Sequence, residues 1–516
     1  MNTLHLLSML VSIPLLGAVL VALLPASRPA LIRGLGLAVT AVAAICTGWI
    51  ISRFDVNNGA PQFVEHHAWI PTLSIDYFTG ADGLGLLLLL LTALVTPFAL
   101  LALDARTPSM KAYVCMILLL QTTLFGTFTA LNFIHWFLFY ELSLVPAFLL
   151  IRMGGGKRAT AAALQFFIYT LFGGLAMLLS FLAIYHATGV FNLVAANGTP
   201  GLAELARSGK LAASLGAAFA WSGLRPDTVS LVVFAGVFLG LAVKVPVVPF
   251  HTWLPDAYAE APTPVSMLMT GVLSKMGVYG FLRLLLPLFP GTLRHLQTPL
   301  LALAVLTIVF SALAALAQTD LKRIVAYSSI NHLGYCLLGL FAASAATGAA
   351  NDRAAAIDGV LLQVFNHGIT AAALFCFIGF LERRGGGLRG LTDFGGIRAV
   401  APVFCGLMGI GIFSSLGLPG LNGFVGEFLI FKGTFALVPW AAAAATAGLF
   451  ITAVFLLKTI ESVFTGPLNP RWAALPDLTN GERLIVAPFI ALMFILGICP
   501  QPFIVLFNNT VLHLFP

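Results

Sequence analysis

The sequence has 516 residues, of which 59% are hydrophobic and only 9% are charged. Soluble domains carry about 25% charged residues, so this composition excludes a water-soluble enzyme or binding module. In such a chain the net charge of +7 belongs to loops at a membrane surface, not to a nucleic-acid-binding face.

Apolar runs of about 20 residues, the length of one helical span, recur along the whole chain. They predict an all-α integral membrane protein with about 14 helices, at 3–24, 30–51, 84–103, 113–131, 133–152, 160–187, 229–250, 264–287, 296–317, 323–342, 357–381, 399–437, 442–464 and 483–506. The first run lacks the basic leader and small-residue cleavage pattern of a signal peptide and is read as a retained helix. Lys and Arg favour the loops after odd-numbered helices about two to one, which places those loops in the cytoplasm and both termini outside. Two outer stretches, 52–83 and 188–228, are read as long loops. His66 and His67 in the first are read as part of a wet loop, because adjacent residues do not converge on a metal without further ligands. Gly154–Gly156 and Gly385–Gly387 lie in basic loops without the strand and helix of a phosphate-binding loop, and are read as turns. The cysteines (Cys46, Cys115, Cys336, Cys376, Cys405, Cys499) fall in apolar runs and form no CxxC pair, so neither a cluster nor a disulfide framework is indicated.

Two helices are interrupted. Helix seven contains LAVKVPVVPF (241–250), whose prolines remove backbone donors. The run 399–437 is too long for one straight span, and SSLGLPGLNGF (414–424) divides it into two half-helices. Broken spans at matching positions of two halves point to inverted repeats with a site near the midplane. Helices 4–8 and 9–13 would form the repeats, giving an N-terminal three-helix segment (1–110), two half-channels (111–290 and 291–465) and a C-terminal helix (466–516).

Ionisable residues inside these spans are the candidates for function. A charge at the bilayer centre costs about 2.5–3.5 kcal/mol on insertion scales, and such residues usually mark ion paths. Glu141 in WFLFYELSLVP, Lys244 beside the first break and Lys275 in VLSKMGVYG are each set among apolar neighbours. Burial and pairing shift the protonation of a Glu–Lys pair in opposite senses, the property a proton relay requires; helix packing is the structural alternative. His332 in SSINHLGY and His367 in QVFNHGIT lie mid-span and end a series that reaches Glu427 in the second broken helix. Histidine titrates near neutrality, although a lone membrane histidine can equally be a packing residue or, in pairs, a haem ligand. His251, Asp256 and Glu260 occupy HTWLPDAYAEAPTP, a turn without Lys or Arg. It is read either as an acidic mouth for proton uptake or as a hydrated loop held by Trp253 and the prolines. His135, close to Glu141, is ambiguous.

VKVPVVPFHTWLPDAYAEAPTPVSMLMTGVLSKMGVYG, FYELSLVP, IVAYSSINHLGY and LGLPGLNGFVGEF together resemble the antiporter-like membrane subunits of proton-pumping NADH:quinone oxidoreductase, respiratory complex I. That family extends to multisubunit Na⁺/H⁺ antiporters and membrane-bound hydrogenases. The resemblance covers about residues 80–465. Glu427, where sister chains generally carry lysine, and the short C-terminus make the chain most similar to the M type, the mitochondrial subunit 4 type. The resemblance implies a proton-translocating module of a bacterial inner membrane, driven by remote redox chemistry. Glu141 would pair with Lys244, Lys275 would link that pair through His332 and His367 to Glu427, and His251 would follow the first break. It further implies no cofactor in this chain, with NADH, FMN, iron–sulfur clusters and quinone elsewhere in the complex. The implied partners are L-type and N-type chains, a peripheral arm and lipid, with no nucleic acid. Gln165 and Asn132 depart from the family, which commonly has lysine and aspartate there. The alternatives are a subunit of a cation/H⁺ antiporter or of a related redox or inorganic-carbon-uptake complex, and a membrane scaffold whose buried charges fix helix register.

Overall fold

The computed structural model describes residues 5–104, 107, 109–154, 156–344 and 348–514. Residues 3 and 4 of the first predicted helix, and Gly155 of one predicted turn, lie outside the described residues. Among the described residues, thirteen helices are long and apolar enough to span a bilayer. The first six are α1 (Leu6–Leu23), α2 (Pro29–Arg53), α3 (Gly83–Leu101), α4 (Met110–Thr129), α5 (Phe133–Gly154) and α6 (Ala159–Thr188). Next comes α7 (Pro226–Lys244), followed across a break by the short α8 (Trp253–Glu260). Four more spans follow: α9 (Thr263–Leu288), α10 (Gln297–Leu316), α11 (Leu321–Ala343) and α12 (Ala350–Arg384). The second broken crossing is α13 (Pro402–Ser415) plus α14 (Asn422–Leu437). The last spans are α15 (Pro439–Phe464) and α16 (Asn480–Ile498), after which α17 (Gln501–Leu514) runs on. The fourteen predicted crossings are therefore present, the twelfth as two halves.

Three details differ from expectation. The stretch 52–83 contains an antiparallel hairpin, β1 (Gln62–Ile70) with β2 (Ile75–Ala81). In 188–228 there are two short helices, Leu202–Arg207 and Lys210–Ala218. The predicted helix 483–506 is two, because Pro500 supplies no amide to continue it. His66 is held within the hairpin by Asp76 at 2.8 Å, and Asp76 also accepts from Asn192.

The two halves repeat one packing scheme: α6 lies along α7 as α12 lies along α14. Glycines set both contacts. A Cβ on Gly240 would stand 2.7 Å from Met177, and one on Gly426 would stand 2.8 Å from the Gln363 amide nitrogen. Small residues let membrane helices approach to backbone distance, where dispersion replaces the hydrophobic drive that lipid does not provide. The core windows of α9 and α12 are 100% buried, whereas those of α1, α2, α7 and α10 are less than half buried and turn their other faces outward. The helices carrying Lys275 and His367 are thus the centre of the molecule.

Candidate functional site

Each break is stabilised by groups that take over the lost backbone bonds, as buried backbone at membrane depth demands. Beyond Lys244, the Ala242 carbonyl accepts from the Val247 amide and the Val243 carbonyl from Trp253 Nε1 at 2.9 Å. Val248 N donates to Thr307 on α10. In the second break, Gly417 and Gly420 take positive φ, a conformation open to glycine at little cost. Asn422 anchors that break: its Oδ1 accepts from Ser414 Oγ at 2.5 Å, and its amide donates to the Asn366 carbonyl at 3.1 Å. The Asn366 side chain returns a bond to the Asn422 carbonyl at 2.6 Å.

Lys275 sits in a helix whose hydrogen bonding is locally rearranged. A π-turn at Met269–Leu273 sends the Ser274 amide to the Met269 carbonyl. The Thr270 carbonyl is thereby released and accepts from Lys275 Nζ at 2.5 Å. Single π-turns of this kind are frequent at functional sites. Lys275 is fully buried and its Nζ lies 2.7 Å from His367 Nδ1. The rings of His367 and His332 are 5.1 Å apart between centroids. His332 Nδ1 lies 2.9 Å from Glu427 Oε1, and its Nε2 lies 3.0 Å from Ser415 Oγ. The structure therefore brings four predicted residues, Lys275, His367, His332 and Glu427, into one buried file across α9, α12, α11 and α14.

The other predicted residues stand apart from the file. Lys244 Nζ is enclosed, has no hydrogen-bond partner, and lies 4.7 Å from the centroid of the Tyr140 ring. Both Glu141 oxygens are likewise enclosed and without hydrogen-bond partners. The expected Glu141–Lys244 pair is thus not in direct contact, although each lies within electrostatic reach of the other. The aromatic face of Tyr140 takes the ammonium instead, a cation–π contact that strengthens on desolvation. Glu141 fits against α6 because residue 174 is glycine; a Cβ there would collide with the carboxylate. His251 follows the first break but packs its ring on Phe310 at 5.2 Å, and its Nδ1 has no partner. His135 faces the hairpin, with its Nδ1 3.3 Å from the Phe78 carbonyl.

The acidic-mouth alternative is corrected. Asp256 pairs with Arg323 and lies 3.7 Å from Arg158, and Glu260 lies 3.6 Å from Arg389. Basic residues from the start of α11 and from two other loops fold over the turn, so its lack of Lys and Arg in sequence does not make it acidic in space. Nearby, Glu260, Lys322, Glu382 and Arg389 line a cavity of about 480 Å³ that reaches Thr263 at the start of α9.

Several contributors were absent from the sequence reading. Gln363 Nε2 donates to Glu427 Oε1 at 3.1 Å and stands one helical turn before His367, a spacing that could have flagged it. Ser415 and Tyr140 carried no local signal. Asp358 on α12, 8% exposed with an unpartnered Oδ1, was also overlooked. Of the two departures, Asn132 caps α5 by accepting from the Ile134 and His135 amides, a role its amide fills as well as a carboxylate. Gln165 is half-buried on α6.

Fold and file define a polytopic membrane protein with broken helices and a buried chain of titratable side chains. A sequence profile described as NADH:quinone oxidoreductase/Mrp antiporter, transmembrane, matches residues 130–452, and the chain belongs to that family. It is 33% identical over 491 residues to NADH-quinone oxidoreductase subunit M of Rickettsia conorii, covering 95% of this chain and 93% of that one. It is also 33% identical to the protein of the same name from Mycobacterium tuberculosis, over 99% and 94% of the two chains. Among solved structures, respiratory complex I from Thermus thermophilus with bound NADH contains a chain matching at a TM-score of 0.83 and 26% identity, over 99% of this chain and 100% of that chain. The Mrp complex from Dietzia sp. DQ12-45-1b matches at 0.78 and 20% identity, over 98% and 52%, a likeness of fold.

Proposed function

We propose that this chain is a proton-translocating subunit in the membrane arm of a bacterial respiratory NADH:quinone oxidoreductase, held in the inner membrane beside antiporter-like sister chains and coupled to a peripheral redox arm. The redox groups belong to other subunits, and residues 111–290 and 291–465 act as the two half-channels. The observation that carries the proton path is the buried file from Lys275 through His367 and His332 to Glu427, in which every member can take up and release a proton.

The basic end of the molecule faces the cytoplasm. Protons enter from the side of the 480 Å³ cavity, where Thr263 begins the helix that carries Lys275 about three turns further in. Lys244 and Glu141 form the switch. When a neighbouring subunit draws Glu141 away from Lys244, the buried ammonium loses its compensating charge and releases its proton inward, toward Lys275. Lys275 passes it to His367 Nδ1. The 5.1 Å between the ring centroids is bridged by water, and the proton enters His332 at Nε2, the nitrogen beside Ser415 Oγ, because Nδ1 faces Glu427. His332 then delivers it to Glu427, with Gln363 and Ser415 fixing ring and carboxylate, and Glu427 releases it toward the hairpin end. His251 assists uptake at the first break.

The test is NADH-driven proton pumping in membrane vesicles from cells carrying Glu141→Ala or Lys275→Met. Pumping and coupled quinone reduction should fall in both while the complex still assembles. Wild-type pumping in an assembled Lys275→Met complex overturns the path.

A further inference from the structure

Beyond Lys275, α9 carries two more polar residues at one-turn spacing, Tyr279 and Arg283, neither used by the path above. All three lie near one face of the helix, which would line a direct route from Lys275 to the hairpin end. Tyr279 is fully buried, and its hydroxyl donates to the Phe128 carbonyl at 3.2 Å while accepting from Arg283 Nε at 3.1 Å. Arg283 Nη2 lies 2.7 Å from Asp82 Oδ1, with side-chain exposures of 8% and 3%. Asp82 in turn caps α3 through the Gly85 amide, immediately after β2. A second π-turn, Phe281–Leu285, holds Arg283 in place.

We propose that Tyr279, Arg283 and Asp82 form a plug that closes the outward route from Lys275 and so directs its proton sideways to His367. The inference rests on the proposed function in taking Lys275 as a proton carrier. A relay along a file needs each member to accept on one side and donate on the other. Tyr279 cannot do this: its hydroxyl proton is committed to a backbone carbonyl, which is a dead end, and its lone pair is engaged by a guanidinium. Arg283 comes next, and a guanidinium does not release its proton in proteins. Its positive charge stands between Tyr279 and Asp82, so a proton leaving Lys275 meets the cation before the carboxylate. The pairing with Asp82 keeps the buried charge in place without making it a carrier. The outward route is therefore blocked both by hydrogen-bond direction and by charge, and the lateral route, 2.7 Å away at His367, is open.

The experiment uses the complete complex reconstituted into liposomes without NADH, with a potassium diffusion potential imposed and passive proton flux recorded. The double variant Asp82→Asn/Arg283→Gln removes the charges while keeping a hydrogen-bonding pair. Arg283→Lys keeps the charge but makes it releasable, and serves if the double variant does not assemble. Passive flux should rise in both variants, and in the double variant, which removes the guanidinium charge, by at most about tenfold. That is the factor a unit charge about 12 Å from Lys275 gives at an effective dielectric constant of about 20. NADH:ferricyanide reduction in the peripheral arm should be unchanged. Adding Lys275→Met should return the flux to the wild-type value. Wild-type flux in the assembled variants, or a leak that survives Lys275→Met, overturns the plug. Because flux is measured without turnover, either result is independent of whether Glu141→Ala impairs pumping.

Discussion

His367 stands between the two halves of the file, hydrogen-bonded to Lys275 on one side and with its ring tilted 43° against that of His332 on the other. Its replacement by Gln keeps a polar side chain but removes the titratable ring. Hydrogen bonds to charged groups contribute about 1.5–3 kcal/mol, so losing this one is expected to slow proton-coupled turnover of the assembled complex by roughly ten- to a hundredfold. Turnover equal to wild type in His367→Gln would remove His367 from the path. The file was partly legible because ionisable residues in apolar runs announce themselves. Their order was not, since which of His332 or His367 meets Lys275 depends on how α11 and α12 rotate against α9. Gln363 and Ser415 escaped notice because amides and hydroxyls are common in membrane helices and acquire meaning only beside His332 and Glu427.

At the scale of elements, both breaks were readable from prolines and glycines, but the groups that stabilise them were not. Asn422 joins the second break to α12 and to Ser414, and contacts Thr370 as well. Asn422→Ala removes the bonds to the Asn366 carbonyl and to the Ser414 hydroxyl, which keeps only Thr370 as a partner, and a lost buried hydrogen bond costs about 0.5–1.5 kcal/mol. The purified complex should therefore show a lower unfolding temperature, together with faster hydrogen exchange confined to 414–424. Unchanged exchange there would mean that packing alone holds the break. The π-turn beside Lys275 was invisible in sequence, because MTGVL is as compatible with an ordinary α-turn.

The whole molecule is organised by polarity between its two ends. At one end, Lys322 pairs with Glu382 at 2.7 Å and Arg389 with Asp320 at 2.5 Å within the second half, while Arg323–Asp256 and Arg389–Glu260 tie the two halves together. At the other lie the hairpin and the loop helices. Cytoplasmic placement of the basic end makes two exposed positions distinguishable, Arg471 at the basic end and Lys210 in the loop beyond α6. In a background where the exposed Cys499 is serine, Lys210→Cys should react with a membrane-impermeant maleimide in intact spheroplasts, and Arg471→Cys only after lysis. The reverse pattern would invert the orientation and with it the direction of transport.

The sequence by itself determined the membrane class, the number of crossings, the position of both breaks and the identity of the ionisable residues in the file. Those follow from hydrophobicity, backbone chemistry and the energetic cost of buried charge, all of which are local. Only the tertiary structure decided which charges touch. Glu141 and Lys244 are close enough to interact but separated, with Tyr140 taking the ammonium, and the turn at Asp256 and Glu260 is neutralised by arginines distant in sequence. Hydrogen-bond partnership depends on helix rotation within an ångström or two, and that is set by packing across the whole chain.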